Sequence, residues 1–196
     1  MKDTILKLLK NSGHCTVAID GRCAAGKTTL AEKIAKELDC NVFHMDDFFL
    51  RPEQRTPERL AEAGGNIDYE RFLEEVLVPL SKGLPFSYRP YDCRNQVLSL
   101  PIQVEPKAIN IIEGSYSLHP HFEKYYDLKI LLEIDTTTQR KRLSRRNPAL
   151  YDRFLTEWIP MEEQYFNETK IAERCDIKET YHEYSFKNSK QSPRIR

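Results

Sequence analysis

The plainest chemistry in this chain lies in Gly21-Arg22-Cys23-Ala24-Ala25-Gly26-Lys27-Thr28, followed by Thr29. The run fits the spacing G-x-x-x-x-G-K-[ST]. Its glycines let the backbone turn tightly, so that successive N–H groups aim at phosphate oxygens. The head of a following helix adds partial positive charge. Lys27 is placed to reach the β- and γ-phosphates of a nucleotide, and the Thr28 hydroxyl is a ligand for Mg²⁺. With glycine near 7% of average usage, the four fixed positions match by chance in roughly one chain in a hundred. This chain holds only 7 glycines. The segment is expected to bind a nucleoside triphosphate.

Carboxylates and cations supply the other candidates. Asp46 and Asp47 directly follow an apolar segment, and Glu113 ends the run Ala-Ile-Asn-Ile-Ile before Gly114. An acid at the end of a strand beside a phosphate loop lies near the γ-phosphate, where it can take a hydroxyl proton or stand by a metal. Asp68 precedes an amphipathic pattern and reads as a helix N-cap. Arg140, Lys141, Arg142, Arg145 and Arg146 share a predicted helix, with Arg153 beyond. Guanidinium groups near a phosphate loop neutralise transferring charge; elsewhere such a run is a solvated face. His119 and His121 lack an evident third metal ligand, so they read as loop residues. Trp158, Tyr165 and Phe166 read as packing on a C-terminal helix. Cys23 sits inside the phosphate loop, and nothing in the sequence makes it redox-active.

These groups need elements to hold them. A short amphipathic helix is expected over the first eleven residues, and a buried strand over 15–19 leads into the glycine turn. A helix over 27–38 carries Leu30, Ile34 and Leu38 on one face. Strands are expected at 41–44, 108–112 and 128–134, with a short one near 176–178. Residues 49–66 read as an irregular loop, and Asp68 opens a helix. The proline-punctuated stretch 85–106 is expected to hold short strands, and residues 136–146 and 150–173 to be helical. Alternating strands and helices predict an α/β fold with a mainly parallel sheet, whose ligands bind beyond the strands' carboxyl ends.

Neither N-K-x-D nor D-x-x-G occurs, which argues against a GTPase switch. The segments VAIDGRCAAGKTTLAEKIA, HMDDFF, RPYDCRNQ, INIIEGSYSL and RKRLSRR occur in the order seen in uridine kinase-like enzymes. Over roughly residues 15–178 the chain resembles that superfamily, which includes uridine–cytidine, nicotinamide riboside, phosphoribulose and bacterial pantothenate kinases. The resemblance implies a P-loop NTPase three-layer fold with a short lid at about 140–153, and use of ATP and Mg²⁺. It implies phosphorylation of a hydroxyl on a small metabolite, such as a nucleoside or ribosyl compound. It gives Asp46 the role of base, with Lys27 stabilising charge, and places Thr28, Glu113 and Asp46 around the metal. Arg142 and Arg146 join residues 21–29 at the nucleotide, while Asp47, Asp68, Tyr91, Gln96 and Arg145 face the acceptor. Cys93 and Gln96 depart from the uridine kinase pattern, which has an aromatic residue and a base-reading histidine there. The acceptor therefore stays open, and a sugar or vitamin-like alcohol is an alternative. A nucleotide-binding regulatory protein with little kinase activity is the competing class, and a nucleic-acid kinase or ATPase a third.

Length and composition fit one kinase domain over 1–183 and a polar basic tail over 184–196. Thirty Lys+Arg balance thirty Asp+Glu, so there is no bulk case for nucleic acid as a partner. The zero hides structure: residues 136–153 carry net +5 and residues 154–183 net −5. Five widely spaced cysteines with no C-x-x-C favour free thiols, and no signal segment or membrane span is evident. The expected setting is the cytoplasm, with a small-molecule partner, no membrane, and homo-oligomerisation open.

Overall fold

A computed structural model describes residues 1–180. The expected tail over 184–196 lies outside the described residues.

Helix α1 (Lys2–Ser12) ends at Gly13 in the left-handed region and leads into β1 (Cys15–Gly21). After the glycine turn, α2 (Lys27–Glu37) returns the chain to β2 (Cys40–His44). A 3₁₀ turn, Met45–Phe48, carries the acid pair past the end of β2. The stretch read as an irregular loop contains α3 (Pro57–Ala61), capped by Thr56. It is pinned rather than free: Arg59 donates to both oxygens of Glu70 at 2.6 Å and to the carbonyls of Gly65 and Ile67.

Asp68 caps α4 (Tyr69–Phe72), which runs through a π-helical turn at Leu73–Leu77 into α5 (Val78–Ser81). Two small antiparallel pairs follow, β3 (Phe86–Tyr88) with β6 (Ile102–Val104), and β4 (Tyr91–Asp92) with β5 (Val97–Leu98). Strands β7 (Ile109–Glu113) and β8 (Leu128–Glu133) precede α6 (Thr136–Arg146), capped by Asp135. The helix expected over 150–173 is broken. It comprises α7 (Tyr151–Arg153), a π turn at Phe154–Trp158, α8 (Ile159–Thr169) and, past Lys170 at φ 52°, α9 (Ile171–Arg174). Each π turn lies just before a proline, Pro79 or Pro160. Proline lacks an N–H and its ring crowds the carbonyl four residues back, so the helix widens there. Strand β9 (Ile177–Thr180) closes the described chain.

The main sheet has the order β2-β7-β1-β8-β9, and all its pairings are parallel. Alternation along the strands feeds two cores. Val17, Ile19, Ile109 and Ile111 pack with Ile5, Leu30 and Ile34 on one face. Ala18, Phe43 and Ile112 pack with Phe48, Phe72 and Tyr165 on the other. Each fully buried aliphatic side chain contributes about 1.5–3 kcal/mol, so the two faces fix the register of β1 and β7. The P-loop, Asp46 and Glu113 thereby come to the same carboxyl edge of the sheet. Among the described residues no helix is long and apolar enough to cross a membrane.

Candidate active site

The glycine turn is shaped by close approach. Gly21 has φ 145°, and a Cβ there would lie 2.2 Å from the Leu132 carbonyl oxygen. Gly26, at φ 101°, is the N-cap of α2. Just before the turn, the buried Asp20 carboxylate accepts the N–H groups of Gly21, Tyr116 and Leu118 and the Tyr165 hydroxyl. It ties β1, the loop after β7 and α8 into one support.

Lys27 is buried and donates to the carbonyls of Gly21 (2.6 Å) and Arg22 (3.0 Å) and to Ser115 Oγ (3.2 Å). The first N–H groups of α2 have no intrahelical acceptor and are the natural seat for phosphate oxygens. Thr28 Oγ1 donates to the Glu113 carboxylate at 3.1 and 3.2 Å. His44 Nδ1 lies 2.6 Å from the same carboxylate, and that hydrogen bond raises the imidazole's pKa. A hydroxyl beside a carboxylate is an oxygen donor set that would suit Mg²⁺, with phosphate and water as the further ligands such a site would use. Among the described residues no group of three or more His, Cys, Asp or Glu side chains could hold a metal ion by itself.

A cleft of about 710 Å³ opens over these groups. Asp46 stands in it, open to the cleft yet ringed by walls that deprive it of bulk water. That loss of water raises its carboxyl pKa, Glu113 adds to the rise, and Lys27 and Arg146 oppose it. A carboxylate with a raised pKa close to a lysine can accept a hydroxyl proton. Of the sequence candidates, Cys23, Ala24, Lys27, Thr28, Asp46, Gln96, Glu113 and Arg146 line this one cleft, and so does Arg153.

Others lie elsewhere. Asp47 is turned toward Tyr88, whose hydroxyl is 3.5 Å away, and burial raises its pKa. Asp68 is buried away from the cleft, capping α4 through Arg71 N–H and accepting from Gln54 Nε2 at 2.9 Å. Tyr91 is buried in the small β4–β5 pair, and its hydroxyl lacks a partner. Arg142 supports the phosphate loop from outside by donating to the Ala24 carbonyl at 2.9 Å. Arg22 turns away to Glu163 and lies over the Phe166 ring. Ala25 is in the core, while Thr29 and Arg145 are exposed outside the cleft. The Cys23 thiol is pushed up to about 12, first by burial and then by the neighbouring Glu162, so it stays protonated. His119 and His121 stack on Tyr69.

Several cleft residues were not foreseen. Ser115 and Tyr116 follow Gly114, Asn66 ends the pinned loop, and Glu162 arrives from α8. Trp158, expected in packing, lines the cleft on the π turn, in edge contact with Phe154. The signal for Ser115 was its position after a strand-end acid and glycine; nothing local marks Glu162.

Solved structures supply the comparison. A structure described as a possible uridine kinase from Bacillus stearothermophilus superposes with a TM-score of 0.63 over 90% of this chain and 97% of its own, at 20% identity. A D-glycerate 3-kinase from Cryptococcus neoformans var. grubii superposes at 0.60 over 83% of this chain and 86% of its own, at 14% identity. The chain has the P-loop NTPase fold. Its phosphate loop, between β1 and α2, is the P-loop of that fold, and the cleft lies at the carboxyl edge where the fold places its ligands. No family model and no curated protein matches the chain.

Proposed function

We propose that the chain is an ATP- and Mg²⁺-dependent kinase that phosphorylates a hydroxyl of a small metabolite, a nucleoside or ribosyl compound in the leading reading. One observation carries this: the P-loop lysine, the Thr28–Glu113 pair, Asp46 and Arg146 converge on one cleft. Its volume of about 710 Å³ suits a nucleotide beside a small acceptor.

When bound, Mg²⁺ screens charge on the phosphate chain, and Thr28 and Glu113 are the residues to hold it. Asp46 accepts the proton of the acceptor hydroxyl as its oxygen attacks the terminal phosphorus. Lys27 and Arg146 neutralise charge on the transferring group. Phe49, Tyr116 and Trp158 give the remaining cleft flat apolar walls for a ring. A hydroxy acid is the second reading, favoured by Arg55, which lines the acceptor end beside Cys93 and Gln96.

The test is ADP release across a panel of nucleosides, sugars, hydroxy acids and vitamin-like alcohols, run beside Asp46→Asn. The expected result is acceptor-dependent turnover that the variant loses while keeping ATP affinity. No acceptor raising ADP release above background would refute the kinase reading and favour a nucleotide-binding regulator.

A further inference from the structure

Helix α8 lies against the P-loop through four side chains. Tyr165 donates to Asp20 at 2.8 Å, Glu163 binds the Arg22 guanidinium at 2.8 Å, and Phe166 lies 5.0 Å from that guanidinium. These three brace the end of β1 and the start of the loop. Glu162 is different, because its carboxylate lines the cleft while being only 4% exposed.

Both Glu162 oxygens accept the Cys23 N–H, at 2.9 and 3.1 Å, and one accepts Ser115 Oγ at 2.6 Å. The same serine hydroxyl lies 3.2 Å from Lys27 Nζ. Thus a carboxylate holds a backbone N–H of the loop whose amides are built for phosphate oxygens. It also shares a hydroxyl with the phosphate-binding lysine. Lys27 is parked in the same way, on the loop's own carbonyls of Gly21 and Arg22. The Cys23 N–H and the Lys27 ammonium are thus satisfied internally, with an anion already seated where another anion has to arrive. Two anions at such range in a water-poor cleft repel strongly.

We propose that Glu162 is a resident counter-anion of the P-loop, displaced by the terminal phosphate of an incoming nucleoside triphosphate. The proposal rests on the reading that the loop binds such a nucleotide. Displacement needs only rotation of the Glu162 side chain, since Tyr165, Glu163 and Phe166 keep α8 docked. It frees the Cys23 N–H and the Ser115 hydroxyl for phosphate oxygens. In this proposal the inner phosphates take the free N–H groups at the head of α2, so a diphosphate is expected not to require the displacement. Glu162 thereby sets a toll on the third phosphate alone.

The experiment is calorimetric titration of a non-hydrolysable ATP analogue and of ADP, each with Mg²⁺, into the wild type, Glu162→Gln and Glu163→Gln. Glu162→Gln is expected to bind the triphosphate about tenfold tighter, some 1.4 kcal/mol, with ADP affinity changed less than twofold. Glu163→Gln is expected to show no such gain. If Glu162→Gln does not fold, Glu162→Asp, whose shorter arm cannot span the same seat, is expected to shift affinity the same way. Wild type that binds the triphosphate, with no selective gain in the variant, overturns the Glu162 proposal and leaves nucleotide binding intact. An equal gain in Glu163→Gln also overturns it, because loosened docking of α8 then explains the effect. Failure of all the proteins to bind overturns the nucleotide reading together with the proposal.

Discussion

Thr28 and Glu113 meet on the cleft floor, the threonine hydroxyl lying 3.1 and 3.2 Å from the two carboxylate oxygens although 85 residues separate them. One comes from the first turn of α2 and the other from the last residue of β7, and parallel pairing of β1 with β7 makes them neighbours. Thr28→Val, which keeps the shape and removes the hydroxyl, is expected to raise the Mg²⁺ concentration for half-maximal activity about tenfold. Thr28→Ser is expected to restore it. A Mg²⁺ titration of acceptor-dependent ADP release checks both outcomes.

Arg146 faces Asp46 across the same cleft and opposes the rise in its pKa. A cation aimed at developing charge acts mainly in the transition state. Arg146→Ala is expected to lower kcat by about 10²–10³, with a smaller change in KM for ATP. Arg145→Ala, altering an exposed residue outside the cleft, is expected to leave both within about twofold. Steady-state kinetics of the two variants separates the reading of a working lid from that of a generic basic face.

Gly21 is held by backbone rather than by ligand. A Cβ would meet the Leu132 carbonyl oxygen at 2.2 Å, and φ 145° disfavours any side chain. Gly21→Ala is expected to cost about 3 kcal/mol or more in a urea denaturation, because the obstacle is a strand and cannot step aside.

Stability should depend on pH through two buried groups of opposite sign. Burial lowers the His119 pKa to about 4 from 6.5, so its contribution is present above about 6.5 and lost as pH falls through about 4. Burial raises the Asp20 carboxyl to about 6 from 3.8, against the pull of its donors. Its contribution is present below about 3.8 and lost as pH rises through about 6. Between pH 4 and 6 the two oppose each other. Removing the imidazole in His119→Phe is expected to flatten the loss of stability on acidification. Melting temperatures of the variant and the wild type at pH 4, 5, 6 and 7 measure the difference.

Much of the sheet was legible because its strands are mostly apolar runs, broken only by Asn110 in Ile109–Ile112 and by Lys129 in Leu128–Leu132. The P-loop was legible because its chemistry is local in sequence, as was the capping of α4 by Asp68. The two π turns were less so. Pro79 and Pro160 mark them, but a hydrophobic period continues through both and hides the widening. Lys170 adopts a left-handed conformation that nothing in its side chain announces. The hardest residues to foresee were those brought in by tertiary packing. Glu162 reaches Cys23 across 139 residues, and Gln139 reaches the same loop residue's carbonyl across 116. No spacing rule spans such distances.

Strands β3 and β6 form one two-stranded pair and β4 and β5 another, and neither pair joins the five-stranded sheet. Gln96 and Cys93, at the end of the cleft proposed for the acceptor, belong to the β4–β5 pair, whereas the groups proposed to handle phosphate grow from the sheet and its helices. The two halves of the site therefore answer to different parts of the chain. On the proposed reading, exchange of the exposed turn between β4 and β5 is the change that alters what the cleft accepts, whereas β3 and β6 are tied to the scaffold because Tyr88 and Val104 pack in its core with Phe43 and Phe48.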